Sequence, residues 1–549
     1  MPATELDDIA ARLEIPDVAI DPRGRQVLKI DPAAIQGNRG GRVVLVTAMT
    51  PTPAGDGKTT TSLGLVDGLA KRGVRAIGAL REPSLGPLFG LKGGAIGGGR
   101  ARVVPSEQIN LHFTGDIHAV TSAHNLLSAI LDNHLFFDGK PQLDVDNVTW
   151  GRVLDMNDRA LRSCQVGFAT KKGPVRTERF DITAASEVMA ILCMSRDIED
   201  LRARLDRIVV GTTADGRPVT AKDLGAGGAM ATILLDAARP NLVRTLEGNP
   251  VLVHGGPFAN IAQGTSTLIQ TQLARRLADV VVTEAGFAFD LGGFKFLDIK
   301  CRAGGFKPAA VVLVTTIRAL RYHGGADYSA GPNLAAVERG LENVGAHMDA
   351  MSRLGLPAPL ISINRFPDDS EEELAALQRY VEGKGGSAVA GEYFARGGDG
   401  ATALADALLA RLAAESDDSP QYRSPYDLDD TVPEKLEAVA RVVLGATGVE
   451  LSERARADLA VIERMGLAQG VPVCLAKTHL SISDDKSVQG RPPPFVLQVT
   501  GLRPAAGAGF VVALCGPILT MPGLPERPAA WDVDIAQDAR GKYVIEGLR

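Results

Sequence analysis

Hydrophobic positions in the first part of the chain follow the pattern of a buried strand and then that of an amphipathic helix. The run RVVLVTA at residues 42–48 is bounded by Gly41 and a proline-rich turn, which is typical of a buried strand. Apolar side chains then fall on one helical face between residues 58 and 72, and Gly73 is placed to end that helix. A second apolar run begins at Val74. The pattern predicts a β–α–β unit with parallel strands covered by helices.

The same alternation returns in the second half of the chain. Further buried strands are predicted at residues 279–283, 309–315 and 359–364. The stretch EEELAALQRYVEG then predicts a helix, and another strand precedes Gly391. Residues 413–433 are polar, acidic and interrupted by proline, which indicates a linker or domain border. Beyond it we expect one helix and several alternating strands.

Composition narrows the class of protein. The 549 residues suffice for about three domains, and the hydrophobic (45%) and charged (23%) fractions are those of an ordinary soluble globular protein. The net charge of −6 argues against a general nucleic-acid binder. Five scattered cysteines without a C-x-x-C pair fit free thiols in a reducing cytosol, so we expect a cytoplasmic protein. We expect no secretory signal and no membrane-spanning segment.

A glycine- and proline-rich segment connects the first strand to the first helix. Residues 50–59, TPTPAGDGKT, resemble the phosphate-binding P-loop, except that a threonine stands where the first glycine would be. Gly55 and Gly57 would let backbone N–H groups turn towards phosphate oxygens at a helix N-terminus. Lys58 would bridge phosphates, and the hydroxyl of Thr59 would be a ligand for the Mg²⁺ that accompanies ATP. The predicted ATP-binding residues are Thr52, Pro53, Ala54, Gly55, Asp56, Gly57, Lys58 and Thr59.

Strand, loop and helix agree in this segment, so a simple turn with a solvated lysine is the weaker interpretation. The predicted fold class is α/β, with a P-loop NTPase-like, mostly parallel sheet carrying helices on both faces, plus two smaller α/β domains. A P-loop alone leaves the acceptor of the phosphoryl group open.

Several longer stretches resemble one enzyme family. GLKGGAIGGG at residues 90–99 and VTTIRALRYHGG at residues 314–325 are similar to the two signature stretches of formate–tetrahydrofolate ligases. The similarity extends to FDITAASEVMAILCMS, LVRTLEGNPVLVHGGPFANIAQG, INRFPDDS and AGAGFVVALCGPILTMPGLP. It covers nearly the whole chain and is highly specific, unlike a lone glycine motif.

The resemblance implies an ATP-dependent ligase of one-carbon metabolism. Formate would attack the γ-phosphate of MgATP to give formyl phosphate, and N10 of tetrahydrofolate would then take the formyl group, which gives 10-formyltetrahydrofolate, ADP and phosphate. The resemblance also implies a requirement for a monovalent cation, K⁺ or NH₄⁺, and a homotetramer. The partners would be small-molecule substrates, with no nucleic acid and no membrane.

Four residues are the catalytic candidates. Lys58 would supply positive charge to the γ-phosphate. Arg81 follows the strand after the P-loop helix, at the edge where open α/β sheets bind ligands, and its guanidinium matches carboxylate and phosphate oxygens; the resemblance also implies an active-site arginine there. Glu82 and Asp116 are acids that would orient a cation or help remove a proton from the attacking amine. A hydrogen-bonded loop carboxylate is an equally good interpretation of either acid.

Other polar residues near these motifs are weaker candidates. His118 and His254 are potential acids or bases, but the histidines lack metal-ligand spacing and a structural role is the better prediction. Lys92 and the backbone of residues 93–99 would form either a second anion-binding surface or a tight packing bend.

Folate binding requires aromatic platforms for the flat pterin ring. Phe366 and Phe394 match family positions that sandwich the folate, and Phe287 is a third candidate. Aromatic residues are only 5% of the chain, so those in loops carry more information. A phenylalanine in the core is the alternative for each, since phenylalanine is more often a core residue than a binding platform.

The chain departs from the family pattern at four positions. The usual tryptophan is Phe394, which implies weaker folate binding, and the usual glutamate of the phosphate-binding loop is Asp56. The usual tyrosine after the triple glycine is Arg100. An acid is replaced by Phe294, and this change puts normal rate or cation dependence in doubt.

Domain borders and competing functions complete the predictions. We predict a nucleotide-binding domain over residues 1–340 with a candidate sub-domain at 81–133, a folate-binding domain over 341–430 and a C-terminal domain over 431–549. The active site should lie in the cleft between them. The alternatives are a P-loop ligase for another small carboxylate, a folate-binding homologue with weak or no activity, and a P-loop switch ATPase.

Overall fold

A large twisted sheet organises the computed structural model, which describes residues 5–90, 94, 96–168, 173–327, 329, 331–414 and 422–548. In chain order the strands are β1 (Ile20–Pro22), β2 (Leu28–Ile30), β3 (Arg42–Ala48), β4 (Ala76–Leu80), β5 (Gly97–Gly98), β6 (Ala101–Val104), β7 (Arg152–Leu154), β8 (Cys164–Val166), β9 (Arg176–Glu178), β10 (Phe180–Ile182), β11 (Val209–Thr212), β12 (Pro218–Thr220), β13 (Asn241–Thr245), β14 (Pro250–Val253), β15 (Val280–Glu284), β16 (Pro308–Thr315), β17 (Leu360–Asn364), β18 (Ser387–Gly391), β19 (Gly448–Leu451), β20 (Val473–Ala476), β21 (Val496–Val499), β22 (Gly501–Ala505), β23 (Phe510–Leu514), β24 (Asp534–Gln537) and β25 (Tyr543–Glu546).

Helices cover this sheet and build the outer parts of the molecule. In chain order they are α1 (Glu5–Arg12), α2 (Lys58–Ala70), α3 (Leu85–Phe89), α4 (Ser106–Asn110), α5 (Asp116–Phe136), α6 (Glu187–Met194), α7 (Ile198–Asp206), α8 (Gly227–Leu234), α9 (Leu268–Leu277), α10 (Arg302–Gly304), α11 (Ile317–His323), α12 (Leu334–Arg353), α13 (Glu371–Gly383), α14 (Tyr393–Arg396), α15 (Thr402–Ala414), α16 (Val432–Val439) and α17 (Glu453–Arg464). In the part of the chain that the structure describes, no helix is long and apolar enough to cross a membrane.

The strand order of the main sheet is β1-β2-β13-β14-β4-β15-β3-β16-β17-β18, with β6 paired to β13 and β5 to β6. Every neighbouring pair from β14 to β18 is parallel, whereas β1, β2, β6 and β13 form an antiparallel edge. The parallel strands are continuous apolar runs because helices bury them on both faces. The predicted α/β fold class is confirmed.

The first predicted β–α–β unit is present with small shifts at its second strand. Helix α2 ends at Ala70, and the N–H of Val74 bonds back to the carbonyl of Leu69 at 3.1 Å, which closes the helix end through a left-handed Gly73. Val74 therefore belongs to the turn, and β4 begins at Ala76 instead of Val74.

The main sheet extends past the predicted border at residue 340. Strands β17 and β18 lie within residues 341–430 yet continue the sheet beside β16, so the sheet does not end at that border. The described part of the predicted linker is also packed, because the hydroxyls of Tyr422 and Tyr426 both donate to the buried carboxylate of Asp298. A second apolar core joins α5 to α6, α7 and α8, so the helix that ends the candidate sub-domain packs against residues well beyond 133.

Candidate active site

Three neighbouring parallel strands bring the predicted nucleotide and formate residues together. In the order β4-β15-β3, Arg81 follows β4, Glu284 ends β15, and the predicted P-loop follows β3. Side chains that leave the carboxyl ends of adjacent parallel strands share one edge of the sheet. Lys58 and Thr59, which follow the loop, and Arg81, which follows β4, are therefore arranged around the carboxylate of Glu284.

The loop of residues 50–57 makes a tight turn just before α2. Gly55 and Gly57 have φ angles of 84° and 74°, a region that favours glycine, and Gly57 immediately precedes α2. A Cβ at Gly57 would also collide with the side chain of Asn364, which donates to the carbonyl of Asp56 at 3.3 Å. Asn364 ends β17, so the next-but-one strand also supports this loop.

Asp56 faces inward beneath the loop. Its side chain accepts hydrogen bonds at 3.1 Å from the backbone N–H of Thr52 and from the hydroxyl of Thr316. The residue is 3% exposed, and burial raises the pKa of its carboxyl to about 6. Asp56 thus holds the loop from below and fastens it to the residue that caps α11.

Lys58 and Thr59 begin α2 and point to the same acid. Burial lowers the pKa of the Lys58 ammonium, while the negative charges of Glu284 and Asp56 oppose that change. The hydroxyl of Thr59 donates to Glu284 Oε2 at 2.8 Å. Lys58 and Thr59, both candidates from the sequence, therefore lie together at the helix start beside Glu284.

Arg81 lies on the other side of the same carboxylate. Its Nη2 is 3.6 Å from Glu284 Oε1, and its Nη1 donates to the carbonyl of Pro257 at 3.4 Å. A Cβ at Gly286 would lie 2.9 Å from Nη1, so this glycine makes room for the guanidinium. Glu284 was not predicted from sequence, although an acid ending the apolar run VVVTE is a signal that could have found it.

Asp116 and Glu82 form a buried acidic pair behind Arg81. Asp116 bonds Lys29 Nζ and Asn241 Nδ2, each at 2.8 Å, and Lys29 and Asp116 are almost fully buried. Burial, and then the charge of Asp116, raise the pKa of Glu82 well above its ordinary value, while Lys29 opposes the shift. Among the described residues, Glu82 Oε2 has no hydrogen-bond partner. Lys29 and Asn241 come from β2 and β13, and sequence reasoning missed both.

The weaker candidates lie in different surroundings. His254 is fully buried between the hydroxyl of Thr267 and the carbonyl of Ala237, and burial lowers its pKa to about 4. His118 is exposed on α5. Lys92 and Gly93 lie outside the described residues.

The described end of the glycine-rich stretch packs closely against an aromatic candidate. Cβ atoms at Gly98 and Gly99 would lie 3.0 Å and 2.8 Å from the ring of Phe394, and Arg100 N donates to the carbonyl of Phe394 at 2.8 Å. Gly98 and Gly99 therefore have a packing role, because they leave room for the ring of Phe394.

Two of the three aromatic candidates follow neighbouring strands. Phe366 comes after β17 and Phe394 after β18, and the two strands pair in parallel. Phe394 is 63% exposed, whereas Phe366 is half-buried with the guanidinium of Arg318 4.1 Å above its ring. Phe287 follows β15 and stacks on His479 at 4.2 Å between ring centroids.

The aromatic residue at position 294 is buried in the apolar core. Phe294 is 2% exposed and belongs to the main apolar core with Phe289 and Phe296. A buried acid there would need a partner, and the apolar ring needs none. The replacement is therefore a change in the core.

Comparisons with known proteins agree over the full length. The family model described as formate–tetrahydrofolate ligase matches residues 2–549. A formate–tetrahydrofolate ligase of Myxococcus xanthus (strain DK1622) is 50% identical over 547 residues, which is 99% of each chain. One of Symbiobacterium thermophilum is 52% identical over 508 residues, covering 92% of this chain and 90% of its own. One of Bacillus pumilus is 48% identical over 97% and 95% of the two chains.

Proposed function

The chain belongs to the formate–tetrahydrofolate ligase family, and from that premise we propose that it joins formate to tetrahydrofolate at the expense of ATP through formyl phosphate. The observation that supports this most directly is the convergence of Lys58, Thr59 and Arg81 on Glu284, where the adjacent strands β3, β4 and β15 end. Such an arrangement suits a γ-phosphate on one side and a small anion on the other.

In the first step a formate oxygen bonds to the γ-phosphorus as the bond from that phosphorus to the β–γ bridging oxygen breaks, and ADP leaves. The transferring group carries charge on several oxygens, so the step needs cations already in place. Lys58 provides one at the start of α2, and Arg81 provides a fork that binds a carboxylate and a phosphoryl oxygen together. The carboxylate is the only group of formate that a protein can bind, which makes Arg81 the residue that orients it.

In the second step N10 of tetrahydrofolate bonds to the formyl carbon, the carbon–oxygen bond to phosphate breaks, and the nitrogen loses a proton. Of the two predicted acids, Glu82 is the better acceptor, because Asp116 is held by Lys29 and Asn241. The raised pKa of Glu82 makes its ionised form a stronger base than an ordinary carboxylate. Glu82 would take the proton directly or through one water.

Folate binding is proposed at the ends of β17 and β18. The exposed ring of Phe394 and the half-buried ring of Phe366 would stack on the pterin, with Phe287 as a third contact. Residues 52–59 would hold the ATP phosphates, with Asp56 shaping the loop.

A divalent cation would accompany ATP at Thr59. The hydroxyl of Thr59 is tied to a buried carboxylate, a donor set that fits Mg²⁺. When bound, Mg²⁺ supplies charge that neutralises the phosphate oxygens. A monovalent cation requirement, a homotetrameric assembly and a cytoplasmic location complete the proposal and rest on the family relationship.

The test is a coupled assay for 10-formyltetrahydrofolate with Lys58→Ala and Arg81→Ala beside wild type. We expect each variant to lose at least a hundredfold in rate, about 2.7 kcal/mol at the barrier. Lys222→Ala and Arg217→Ala, at exposed positions, are the matched controls and should keep wild-type rates. Wild type that hydrolyses ATP with formate but makes no formylfolate would contradict the proposal.

A further inference from the structure

Glu284 is the acid around which the proposed phosphoryl-transfer residues are arranged. It is 1% exposed and ends β15, between the strand that leads to Arg81 and the strand that leads to the P-loop. One carboxylate oxygen accepts the hydroxyl of Thr59 at 2.8 Å, and the other lies 3.6 Å from Arg81 Nη2. Each oxygen thus contacts a different half of the site.

The backbone fixes this carboxylate firmly. Glu284 pairs with Val46 of β3, and the next N–H, of Ala285, donates to the Val46 carbonyl at 3.2 Å. Gly286 N then donates to the carbonyl of Gly264 at 2.8 Å. A carboxylate on a residue whose backbone is fixed by β3 and by the bonds that follow it can set the position of mobile partners such as an arginine side chain.

We propose that Glu284 is a positioning residue that couples the nucleotide half of the site to the formate half. Its Oε2 accepts a hydrogen bond from the hydroxyl of Thr59. The lone pairs of the hydroxyl oxygen are thereby turned towards a divalent cation on ATP. Its Oε1 holds the guanidinium of Arg81 where formate and the γ-phosphate meet. The inference rests on the proposed function and adds a residue to which that proposal assigned no role.

General chemistry supports this role. In P-loop enzymes an acid on a neighbouring strand and the loop Ser/Thr together hold the metal that accompanies the nucleotide. Two other nearby acids are engaged elsewhere, because Asp56 bonds Thr52 and Thr316 and Asp116 bonds Lys29 and Asn241. A third acid, Glu82, is the proposed proton acceptor of the second step. Glu284 is also the leading negative charge acting on Lys58.

A merely structural role predicts something different. If Glu284 only balanced the charges of Lys58 and Arg81, its loss would lower stability and weaken binding of every ligand together. A positioning role predicts that anion binding is kept while the rate of the reaction falls. Without the negative charge, Arg81 attracts anions at least as well, but it is no longer held in place for the reaction.

The first readout is binding, without turnover. In wild type and Glu284→Gln, the dissociation constant of ADP is measured by calorimetry with Mg²⁺ and with EDTA. The Mg²⁺ ratio is the dissociation constant of ADP in EDTA divided by the dissociation constant of ADP with Mg²⁺. We expect this ratio to fall at least tenfold in Glu284→Gln, because the negative charge beside the cation is lost. Glu284→Asp keeps the charge and should recover at least a third of the wild-type ratio.

The second readout is the division between kcat and KM in the formylfolate assay. Glu284→Gln should lose at least thirtyfold in kcat, while KM for formate stays level or falls. The matched control is Glu373→Gln, which removes another buried glutamate from its arginine, Arg321, 2.6 Å away between α13 and α11. It should lower the melting temperature without changing the Mg²⁺ ratio or KM for formate.

Two outcomes overturn the inference. One is a Mg²⁺ ratio within twofold of wild type in folded Glu284→Gln, and the other is a KM for formate that rises as kcat falls. Folding is checked by thermal melting, and Glu284→Asp replaces the first variant if that variant does not fold. If wild type makes no formylfolate, the proposed function fails, yet the ADP measurement still decides the role of Glu284.

Discussion

At the carboxyl ends of β3, β4 and β15 the proposed functional groups are charged side chains, whereas at the ends of β17 and β18 they are aromatic rings. Glu284 and Glu82 are almost completely buried, while Phe394 is 63% exposed. Both regions belong to the same edge of one sheet. Their difference follows the ligands proposed for them.

Charges must be positioned before the substrate arrives, since reorganising them during phosphoryl transfer would cost rate. Burial achieves this, but each buried charge then needs a partner, as Asp116 has in Lys29. A stacking platform needs only a flat surface that water can leave. The charged region should therefore be tied to folding, and the aromatic region to folate binding alone.

The largest expected effect comes from breaking the buried pair with Lys29→Met. Asp116 would lose its cation while still lying near a second buried acid, Glu82. Leaving a buried charge unpaired lowers the free energy of unfolding by about 3–5 kcal/mol. Urea unfolding should show a loss of this size. The double variant Lys29→Met/Asp116→Asn removes both charges and should recover most of it; no recovery would mean that packing, and not charge, makes Lys29 necessary.

The next effect concerns pH and the buried carboxyl of Asp56. Its pKa is raised to about 6 in the folded protein from an ordinary 3.8, so the folded state binds the proton more tightly than the unfolded chain does. Asp56 therefore favours folding below its ordinary pKa and progressively opposes it as the pH rises from about 4 to about 6. Above that range the buried carboxylate is charged, and it lowers the free energy of unfolding by an amount that no longer changes with pH.

Asp56→Asn should remove this pH dependence and gain about 2 kcal/mol of relative stability between the acidic and neutral ends of that range. The measurement is the free energy of unfolding against pH, compared with wild type. Asp17→Asn, at an exposed position, is the control. Parallel curves for wild type and Asp56→Asn would show that this carboxyl does not titrate in that range.

The aromatic region should give a smaller effect of a different kind. Phe394→Ala should raise KM for tetrahydrofolate about tenfold, because a stacked ring contributes roughly 1–3 kcal/mol. KM for ATP and the melting temperature should stay near wild type, since the ring is mostly exposed. Tyr543→Ala removes another exposed ring and is the matched control. A drop in stability in Phe394→Ala alone would weaken the contrast between the regions.

The sequence predicted those parts of the molecule that are contiguous in it. The strand at 42–48, the loop and helix α2 lie in one segment whose periodicity is unambiguous, and all are present. The partners that complete the charged region are not contiguous: Lys29 meets Asp116 across 87 positions, and Thr59 meets Glu284 across 225. Strand order determines these pairs, and hydrophobic periodicity carries no information about strand order.

The continuation of the main sheet past the predicted border at residue 340 could not be read from the sequence for the same reason. Local pattern marks where a strand lies but not which sheet it joins, and β17 and β18 join the main sheet. The replacement at Phe294 was also ambiguous in sequence, because an apolar residue in a family motif is equally compatible with a site and a core. Burial shows that Phe294 lies in the core.

The smallest expected effect is a gain. Phe394→Trp introduces the residue that the family resemblance implies, and a larger ring should stack more strongly on the pterin. Gly98 and Gly99 already touch one side of the phenyl ring, so the added atoms of the indole must extend on the exposed side, where space is available. We expect KM for tetrahydrofolate to fall about twofold to threefold, less than about 0.7 kcal/mol, with KM for ATP unchanged. A rise in KM would mean that the glycines fit phenylalanine specifically, and that this platform is more tightly constrained than its exposure indicates.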